Sequence, residues 1–218
     1  MSKYRTTCQT TRWWFIRHAP VVGAEHKRLS GQNDVPADLS DTASFAGLAP
    51  KLPKGAVWIV THLQRTQQTA MALQAAGAEA VEPEIEEDFA EQAFGAWTNL
   101  TWAEIGDLGE ASQAFWDAPA TTPPPSSNDY SGESFADVCA RVGGCLETLT
   151  EKYTGRDIIC VAHAGSIRAS VAHALGMSAE QALALDVQNT SLTRLDHISS
   201  GLRTKRGGSW RVVCLNQI

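Results

Sequence analysis

The sequence predicts an α/β fold, a three-layer sandwich in which a mainly parallel central sheet carries helices on both faces. Three mainly apolar runs, 13–16, 56–60 and 157–161, are long enough for buried strands. Segments with helical character alternate with these runs, which is typical of parallel strands joined by helical crossovers. Two segments with alternating polarity, 191–198 and 209–215, predict a late antiparallel hairpin.

Length and composition limit the possible functions. The chain has 218 residues, enough for a sizeable core, and we expect one domain over 1–218. Its formal net charge of -6 argues against a protein that binds nucleic acid through a general basic field. No apolar run approaches the roughly 20 residues of a membrane span, and the polar segment 1–11 lacks the apolar centre of a signal peptide. We therefore expect a cytoplasmic protein without nucleic-acid or membrane partners, and these features leave a homodimer open.

The cysteines and histidines do not predict a metal site. The five cysteines are scattered, with no CxxC pair and no metal-ligand spacing, so free thiols are expected. His18 and His163 could bind a metal ion, but no carboxylate or cysteine lies at ligand spacing from either. We therefore expect neither a metal ion nor another cofactor.

The first half of the chain supplies a loop and two helices between its strands. The polar loop 22–38 is long for a plain connection, which favours a functional role. A helix is predicted over 39–48, with Ser40 or Asp41 as its cap. The segment 62–73 predicts a short turn and a second helix whose first turn carries Arg65.

The second half predicts three more helices, over 101–115, 134–153 and 166–175. In the second of these, apolar residues recur at i, i+3, i+4 and i+7, which predicts a stripe packed on the core. The proline-rich and serine-rich segment 116–132 cannot form a regular helix. We predict a lid loop there, within the single domain.

Three predicted strands each end in a histidine: His18, His62 and His163. In an open α/β sheet, ligands bind outside the carboxyl ends of the strands. We therefore predict an active site at this edge, with His18 as its nucleophile. His62 lacks a neighbouring arginine of the kind that His18 and His163 have, and neither His62 nor Arg168 is given a role.

The residues around this edge indicate phosphate chemistry. Arginines bind tetrahedral oxyanions in fixed geometry, and Arg65 at a helix start opposes the helix dipole unless an anion is bound there. An imidazole is a competent nucleophile toward phosphorus, and a neighbouring acid can protonate the leaving oxygen. Glu91 is the candidate acid, because it precedes an aromatic and glycine cluster, 94–97, that could bury its carboxyl group. Such a site needs no metal ion, since cationic side chains stabilise the phosphoryl oxygens.

Several motifs between about Trp13 and Asn216 resemble the histidine phosphatase superfamily, also called phosphoglycerate mutase-like, and they occur in the family's order. Arg17-His18-Ala19 resembles its RHG motif. The other matching segments are Ser30-Gly31 with Asp34 (first phosphate loop), 63–70 (LxRTxQTA), 91–97 (ExxFGxW), 132–134 with Arg141 (GES helix start) and 161–168 (second histidine motif).

The resemblance implies a role for each matching residue. His18 would attack phosphorus and become a phosphohistidine, while Glu91 would protonate the departing alcohol and then take a proton from water. The residues expected to hold the phosphoryl oxygens are Arg17, Arg65 and His163, with Ser30 as a helper. His18 must then be neutral, with its other ring nitrogen hydrogen-bonded to a backbone carbonyl, whereas His163 is expected to be protonated.

Departures from the family pattern bear on the reaction. Ala19 and Ala164 stand where the family usually has glycine. Ala24 stands where mutase-like members commonly carry an asparagine that touches the phosphate, and 97–131 is short for the insertion that caps the substrate of cofactor-dependent mutases. The last two departures favour hydrolysis. We therefore expect a metal-independent phosphomonoesterase for a small phosphorylated metabolite, nearer to the alpha-ribazole phosphatase-like branch. A phosphoglycerate mutase and a non-catalytic phosphate-binding module are the alternatives.

Overall fold

The computed structural model describes residues 8–128, 131–202 and 208–218. Residues 1–7 of the predicted polar terminus and residues 129–130 of the predicted lid lie outside this part of the chain. The strands are β1 (Thr10–Arg17), β2 (Val57–Val60), β3 (Glu84–Ile85), β4 (Asp157–Ala162), β5 (Leu192–Ile198) and β6 (Trp210–Gln217). They form one six-stranded sheet in the order β3-β2-β4-β1-β5-β6.

The sheet is parallel at its centre and antiparallel at one side, which confirms the predicted fold class. Strands β3, β2, β4 and β1 pair in parallel, whereas β5 pairs antiparallel with both β1 and β6. In the register of the central strands, Arg17 lies opposite Ala162, and Val60 lies opposite Val161. The carboxyl ends of β1, β2 and β4 therefore meet at one edge.

Helices cover both faces of this sheet. They are α1 (Thr42–Leu48), α2 (Gln64–Ala75), α3 (Trp102–Gly106), α4 (Glu110–Asp117), α5 (Phe135–Lys152), α6 (Ala164–Leu175) and α7 (Ala179–Ala182). The helices α1 and α2 pack on one face, whereas α5 and α6 pack on the other. None of the described helices is both long and apolar enough to cross a membrane.

Alternation along the strands divides the core into two layers. On β1, Trp13 and Phe15 belong to the cluster that packs against α5 and α6, whereas Ile16 belongs to the cluster under α1 and α2. The indole N–H of Trp13 donates to Thr150 Oγ1 at 2.9 Å, so this buried polar group is paired. Both faces of the central strands are buried, which explains why they appear in sequence as continuous apolar runs.

Local chemistry sets several helix boundaries. The predicted cap Asp41 is present and accepts from the N–H of Ser44, and Ser134 caps α5 by accepting from the N–H of Asp137. The helix predicted over 101–115 is wrong in its continuity: α3 and α4 are separated around Gly109, whose φ is 58°. The short elements β3 and α7 were not predicted from the sequence.

Leu146 provides a direct test of the core under α5. This side chain is fully buried in the main apolar cluster. We expect Leu146→Ala to lower the free energy of unfolding by about 2–5 kcal/mol, because it removes apolar contacts and leaves a cavity. Urea denaturation measures the loss, with the exposed Glu151→Ala on the same helix as the control. A loss no larger than that of the control would contradict the packing.

Candidate active site

Two of the three strand-end histidines meet at the carboxyl edge of the sheet. His18 directly follows β1, and its backbone N–H donates to the Ala162 carbonyl at 2.9 Å, which continues the pairing with β4. His163 directly follows β4, and the two imidazole rings lie 5.1 Å apart between their centroids. His62, which follows β2, is exposed and lies outside this cluster.

The ring of His18 is held in one orientation. Its Nδ1 lies 2.6 Å from the carbonyl oxygen of Ala19, as the sequence predicted for the nitrogen that does not attack. A carbonyl only accepts, so Nδ1 carries the proton and Nε2 keeps its lone pair. The ring is 6% exposed, and burial, followed by the charges of Arg65 and Arg17, holds the pKa of His18 well below 6.5. His18 is therefore neutral at neutral pH.

Two arginines face the histidines, and each is held by backbone carbonyls. Arg17 Nη1 donates to the Val187 carbonyl at 2.6 Å. Arg65 is 1% exposed, and its Nη1 and Nη2 donate to the carbonyls of Asn33 and Gly31 at 2.9 and 2.6 Å. Burial lowers the pKa of both guanidinium groups from the ordinary value, and the nearby charge of Glu91 opposes that effect.

The surroundings of His163 disfavour its protonated form in the protein alone, and the expected protonation of His163 at a bound phosphoryl group stays a prediction. Burial is the main cause, and the cations Arg65 and Arg17 also help to hold its pKa well below 6.5. Its Nε2 lies 3.0 Å from Thr61 Oγ1. If the Thr61 hydroxyl donates to Nε2, the proton of the neutral ring lies on Nδ1.

Three buried polar atoms at this edge have no hydrogen-bond partner among the described residues. They are Arg17 Nε, Arg65 Nε and His163 Nδ1. Buried polar groups in folded proteins are almost always paired, so a group of unpaired ones calls for a ligand. Two of these atoms are cationic N–H donors, and the third donates in the tautomer described above. The matching ligand is therefore an anion with several acceptor oxygens.

Glu91 lies in the wall of the same cavity, half-buried. Its Oε1 accepts from the backbone N–H groups of Gln92 at 3.0 Å and Gly165 at 3.1 Å. A Cβ at position 165 would overlap Oε1, so this contact requires glycine there. Of the cluster 94–97, Phe94 lines the same cavity as Glu91, whereas Trp97 packs against Phe115.

The loop 88–93, which carries Glu91, is held by an ion pair outside the cavity. Arg141 donates to both carboxylate oxygens of Glu133 at 2.6 and 2.9 Å. The same guanidinium donates to the backbone carbonyls of Asp88 and Glu91 at 2.6 and 3.2 Å. Glu133 in turn accepts from the N–H of Ala93 at 3.2 Å. These contacts fix the backbone on both sides of Glu91.

The cavity has a volume of about 410 Å³ and includes residues that the sequence left without a role. Ser30 lines it, as predicted for the phosphate loop. Arg168 also lines it and donates from Nε to the Leu185 carbonyl at 2.7 Å. Asn189, which the sequence did not indicate, donates to the His18 carbonyl at 2.8 Å. The described residues of 116–132 lie outside the cavity walls, so the lid there stays a prediction.

One group of potential metal ligands occurs among the described residues, outside the cavity. Glu86, Asp88 and Cys145 bring a carboxylate oxygen or a thiol sulfur within 4.8 Å of one another. Burial raises the pKa of the Cys145 thiol, which disfavours the thiolate that metal binding needs. None of the three lines the cavity that contains His18.

Comparison with known proteins identifies relatives over most of the chain. The sequence model of the histidine phosphatase superfamily (branch 1) matches residues 13–209. A bifunctional protein of Mycobacterium tuberculosis is 27% identical over 199 residues, which cover 90% of this chain and 53% of that protein. The chain thus spans about half the length of the curated relatives that it matches.

Solved structures show a similar fold. A mycobacterial glucosyl-3-phosphoglycerate phosphatase superposes with a TM-score of 0.79 at 23% identity, covering 96% of this chain and 100% of the other. A phosphoserine phosphatase mutant from Entamoeba histolytica superposes with a TM-score of 0.75 at 21% identity, covering 94% and 96%. These similarities show that the chain shares the fold of these two phosphatases.

The contact between Gly165 and Glu91 predicts the effect of one added methyl group. We expect Gly165→Ala to displace the Glu91 carboxylate and to lower phosphatase activity about as much as Glu91→Gln does. Steady-state assays of both variants check this. Gly144→Ala is the matched control, because a Cβ at that helical glycine meets no other atom within 4 Å. Full activity in Gly165→Ala would contradict the placement of the carboxylate.

The buried neutral histidines predict a pH dependence of stability. Below about pH 6.5 the unfolded chain binds protons at His18 and His163 that the folded chain does not bind, down to the lowered pKa values. The free energy of unfolding therefore falls as the pH falls, with a slope of up to about one proton per histidine. We expect His163→Gln to have a shallower slope, measured by urea denaturation between about pH 7.5 and 5.5. An unchanged slope would contradict the burial of a neutral His163.

Proposed function

The chain belongs to the histidine phosphatase superfamily (branch 1), and we propose that it hydrolyses phosphate monoesters without a metal ion, through a phosphohistidine formed on His18. Membership in this superfamily supports a phosphatase or phosphoryl-transfer enzyme. The choice of hydrolysis and the role of each residue are the content of the proposal.

The observation that carries the proposal is the set of unpaired buried atoms next to the His18 ring. Arg17 Nε, Arg65 Nε and His163 Nδ1 require acceptors, and a phosphoryl group supplies three equatorial oxygens. His18 keeps a lone pair on Nε2, because its Nδ1 proton is engaged by the Ala19 carbonyl. The site thus combines a nucleophile with an oxyanion receptor.

The proposed reaction has two steps. In the first, His18 Nε2 forms a bond to phosphorus, the phosphorus–oxygen ester bond breaks, and Glu91 gives its proton to the leaving alcohol. In the second, Glu91 takes a proton from water, the water oxygen attacks phosphorus, and the phosphorus–nitrogen bond breaks. Inorganic phosphate leaves, and His18 and Glu91 return to their starting states.

A binding anion also changes the charge of its neighbours. The cationic arginines disfavour protonation of His163 in the protein alone, and a phosphoryl dianion would oppose their field. His163 is therefore proposed to donate from Nδ1 as a neutral ring or to gain a proton as the anion binds. Either state donates a hydrogen bond to a phosphoryl oxygen.

Features of the cavity mouth favour hydrolysis over transfer of the phosphoryl group to a second hydroxyl group. Ala24 is exposed in the cavity wall and offers no side-chain hydrogen bond to a phosphate. Trp102 and Arg28 line the same cavity and are exposed, so solvent reaches it. Water can therefore compete with a second hydroxyl group for the phosphohistidine.

The leaving-group dependence of two variants tests the proposal. We expect His18→Ala to abolish hydrolysis of every ester in EDTA, because it removes the nucleophile. We expect Glu91→Gln to slow the hydrolysis of glycerol 3-phosphate by roughly 100- to 10,000-fold. The hydrolysis of p-nitrophenyl phosphate should slow far less, because only the alkoxide leaving group of glycerol 3-phosphate needs a proton. Steady-state kcat values measure both effects.

The exposed Glu82→Gln is the matched carboxylate control, since Glu82 lies outside the cavity. Equal losses of kcat on both esters in Glu91→Gln would show that Glu91 does not act as the acid. Hydrolysis that survives in His18→Ala would overturn the phosphohistidine. An inert wild type that transfers phosphate between phosphoglycerates would identify a mutase instead.

A further inference from the structure

The outer wall of the catalytic cavity carries an aromatic ring that is fixed in place and open to solvent. Trp102 is 45% exposed and lines the cavity together with Phe94. The indole stacks on Phe115, with 6.2 Å between centroids and 23° between planes, and Phe94 meets it edge to face at 6.1 Å. Trp116 also contacts it, at 5.7 Å. The ring is thus supported by three aromatic neighbours while part of its surface stays free.

Backbone contacts also hold Trp102 in place. The N–H of Leu29 donates to the Leu100 carbonyl, and the N–H of Asn99 donates to the Leu29 carbonyl, each at 2.8 Å. Thr101 and Glu104 cap the helix that Trp102 begins, and Glu104 also accepts from Arg28 at 3.2 Å. These contacts tie the start of α3 to the loop that carries Leu29. A platform fixed before binding loses little entropy when a ligand stacks on it.

The cavity is larger than its phosphate-binding end requires. Its volume of about 410 Å³ lies within the roughly 300–1,000 Å³ typical of sites that enclose a whole small molecule. The buried residues His18 and Arg65 line its inner end, and the exposed Trp102 lines its mouth. The leaving group of a bound ester would therefore extend toward Trp102.

Resting on the proposed function, we propose that Trp102 is a stacking platform for an aromatic or heteroaromatic ring on the leaving group, so that the substrate is a phosphomonoester of nucleoside type. The indole N–H of Trp102 has no acceptor among the described residues, which leaves the ring edge available to a ligand. Arg28 lines the same wall and engages Asn99 and Glu104 through Nη1. A cavity wall with these N–H donors suits a ligand ring that carries hydrogen-bond acceptors.

Three esters of primary alcohols isolate the contribution of the ring. Adenosine 5′-monophosphate, ribose 5-phosphate and glycerol 3-phosphate have similar leaving oxygens and differ in carrying a base and sugar, a sugar alone, or neither. Stacking of one base on an aromatic side chain corresponds to roughly 5- to 150-fold in affinity. We expect kcat/KM for adenosine monophosphate to exceed that of the other two esters by a factor in this range, through KM.

Three variants test whether Trp102 is the cause. We expect Trp102→Leu, which keeps apolar bulk without a π face, to remove the preference for adenosine monophosphate, with a much smaller change in kcat/KM for the other two esters. Trp102→Phe should retain most of the preference. Leu108→Ala is the control, since Leu108 is an exposed apolar residue of the same segment outside the cavity.

Two kinetic results would overturn the assignment. One is a wild-type kcat/KM for ribose 5-phosphate that equals the value for adenosine monophosphate. The other is an equal loss of kcat/KM on all three esters in Trp102→Leu. Calorimetric titration of adenosine monophosphate into His18→Ala, with and without Trp102→Leu, makes the test independent of turnover, and we expect Trp102→Leu to weaken binding by roughly 5- to 150-fold. Equal binding to both proteins would also overturn it. Failure of the proposed function would differ, since then even p-nitrophenyl phosphate would not be hydrolysed.

Discussion

The rest of the site depends on positive charge that is buried without enough partners. Two guanidinium groups and two imidazoles share the carboxyl edge of the sheet, and three of their nitrogen atoms are buried and unpaired. Burying such groups is costly, and the scaffold offsets part of the cost with backbone carbonyls that accept from the other guanidinium nitrogens. A bound anion would offset the rest of this cost. In the same electrostatic field both imidazoles are held in the neutral form. A neutral ring is the form in which His18 can act as the proposed nucleophile.

Glu91 links this charge to the proposed acid chemistry. Its carboxylate opposes the loss of charge on Arg17 and Arg65, so it acts as a counter-charge as well as a candidate acid. Glycine at position 165 lets the carboxylate approach the start of α6, while Arg141 holds the backbone of its loop. The side chain that is proposed to give and take protons is thus positioned by a backbone N–H group and by a guanidinium group.

The sequence predicted the fold and the position of His18 and His163 at one sheet edge because both depend on local patterns. Buried parallel strands appear as apolar runs, and a histidine after such a run must lie at the sheet edge. The two-residue strand β3 has no apolar pattern, since Glu84 and Ile85 are exposed. Asn189 lies in a loop without a motif, so only the three-dimensional contact with His18 reveals it. The charge state of His163 depends on burial and on arginines that are far from it in the sequence, and no local pattern encodes these effects.

The most direct test of the central claim is acid-free quenching of the enzyme during turnover, followed by mass spectrometry of its peptides. The account predicts a phosphoryl group on the peptide that contains His18, lost on acid treatment because a phosphorus–nitrogen bond is acid-labile, and absent from His18→Ala. Glu91→Gln should accumulate it with p-nitrophenyl phosphate, if water activation becomes the slow step. Turnover of the wild type without any phosphoryl group on His18, under conditions in which Glu91→Gln also shows none, would contradict the account.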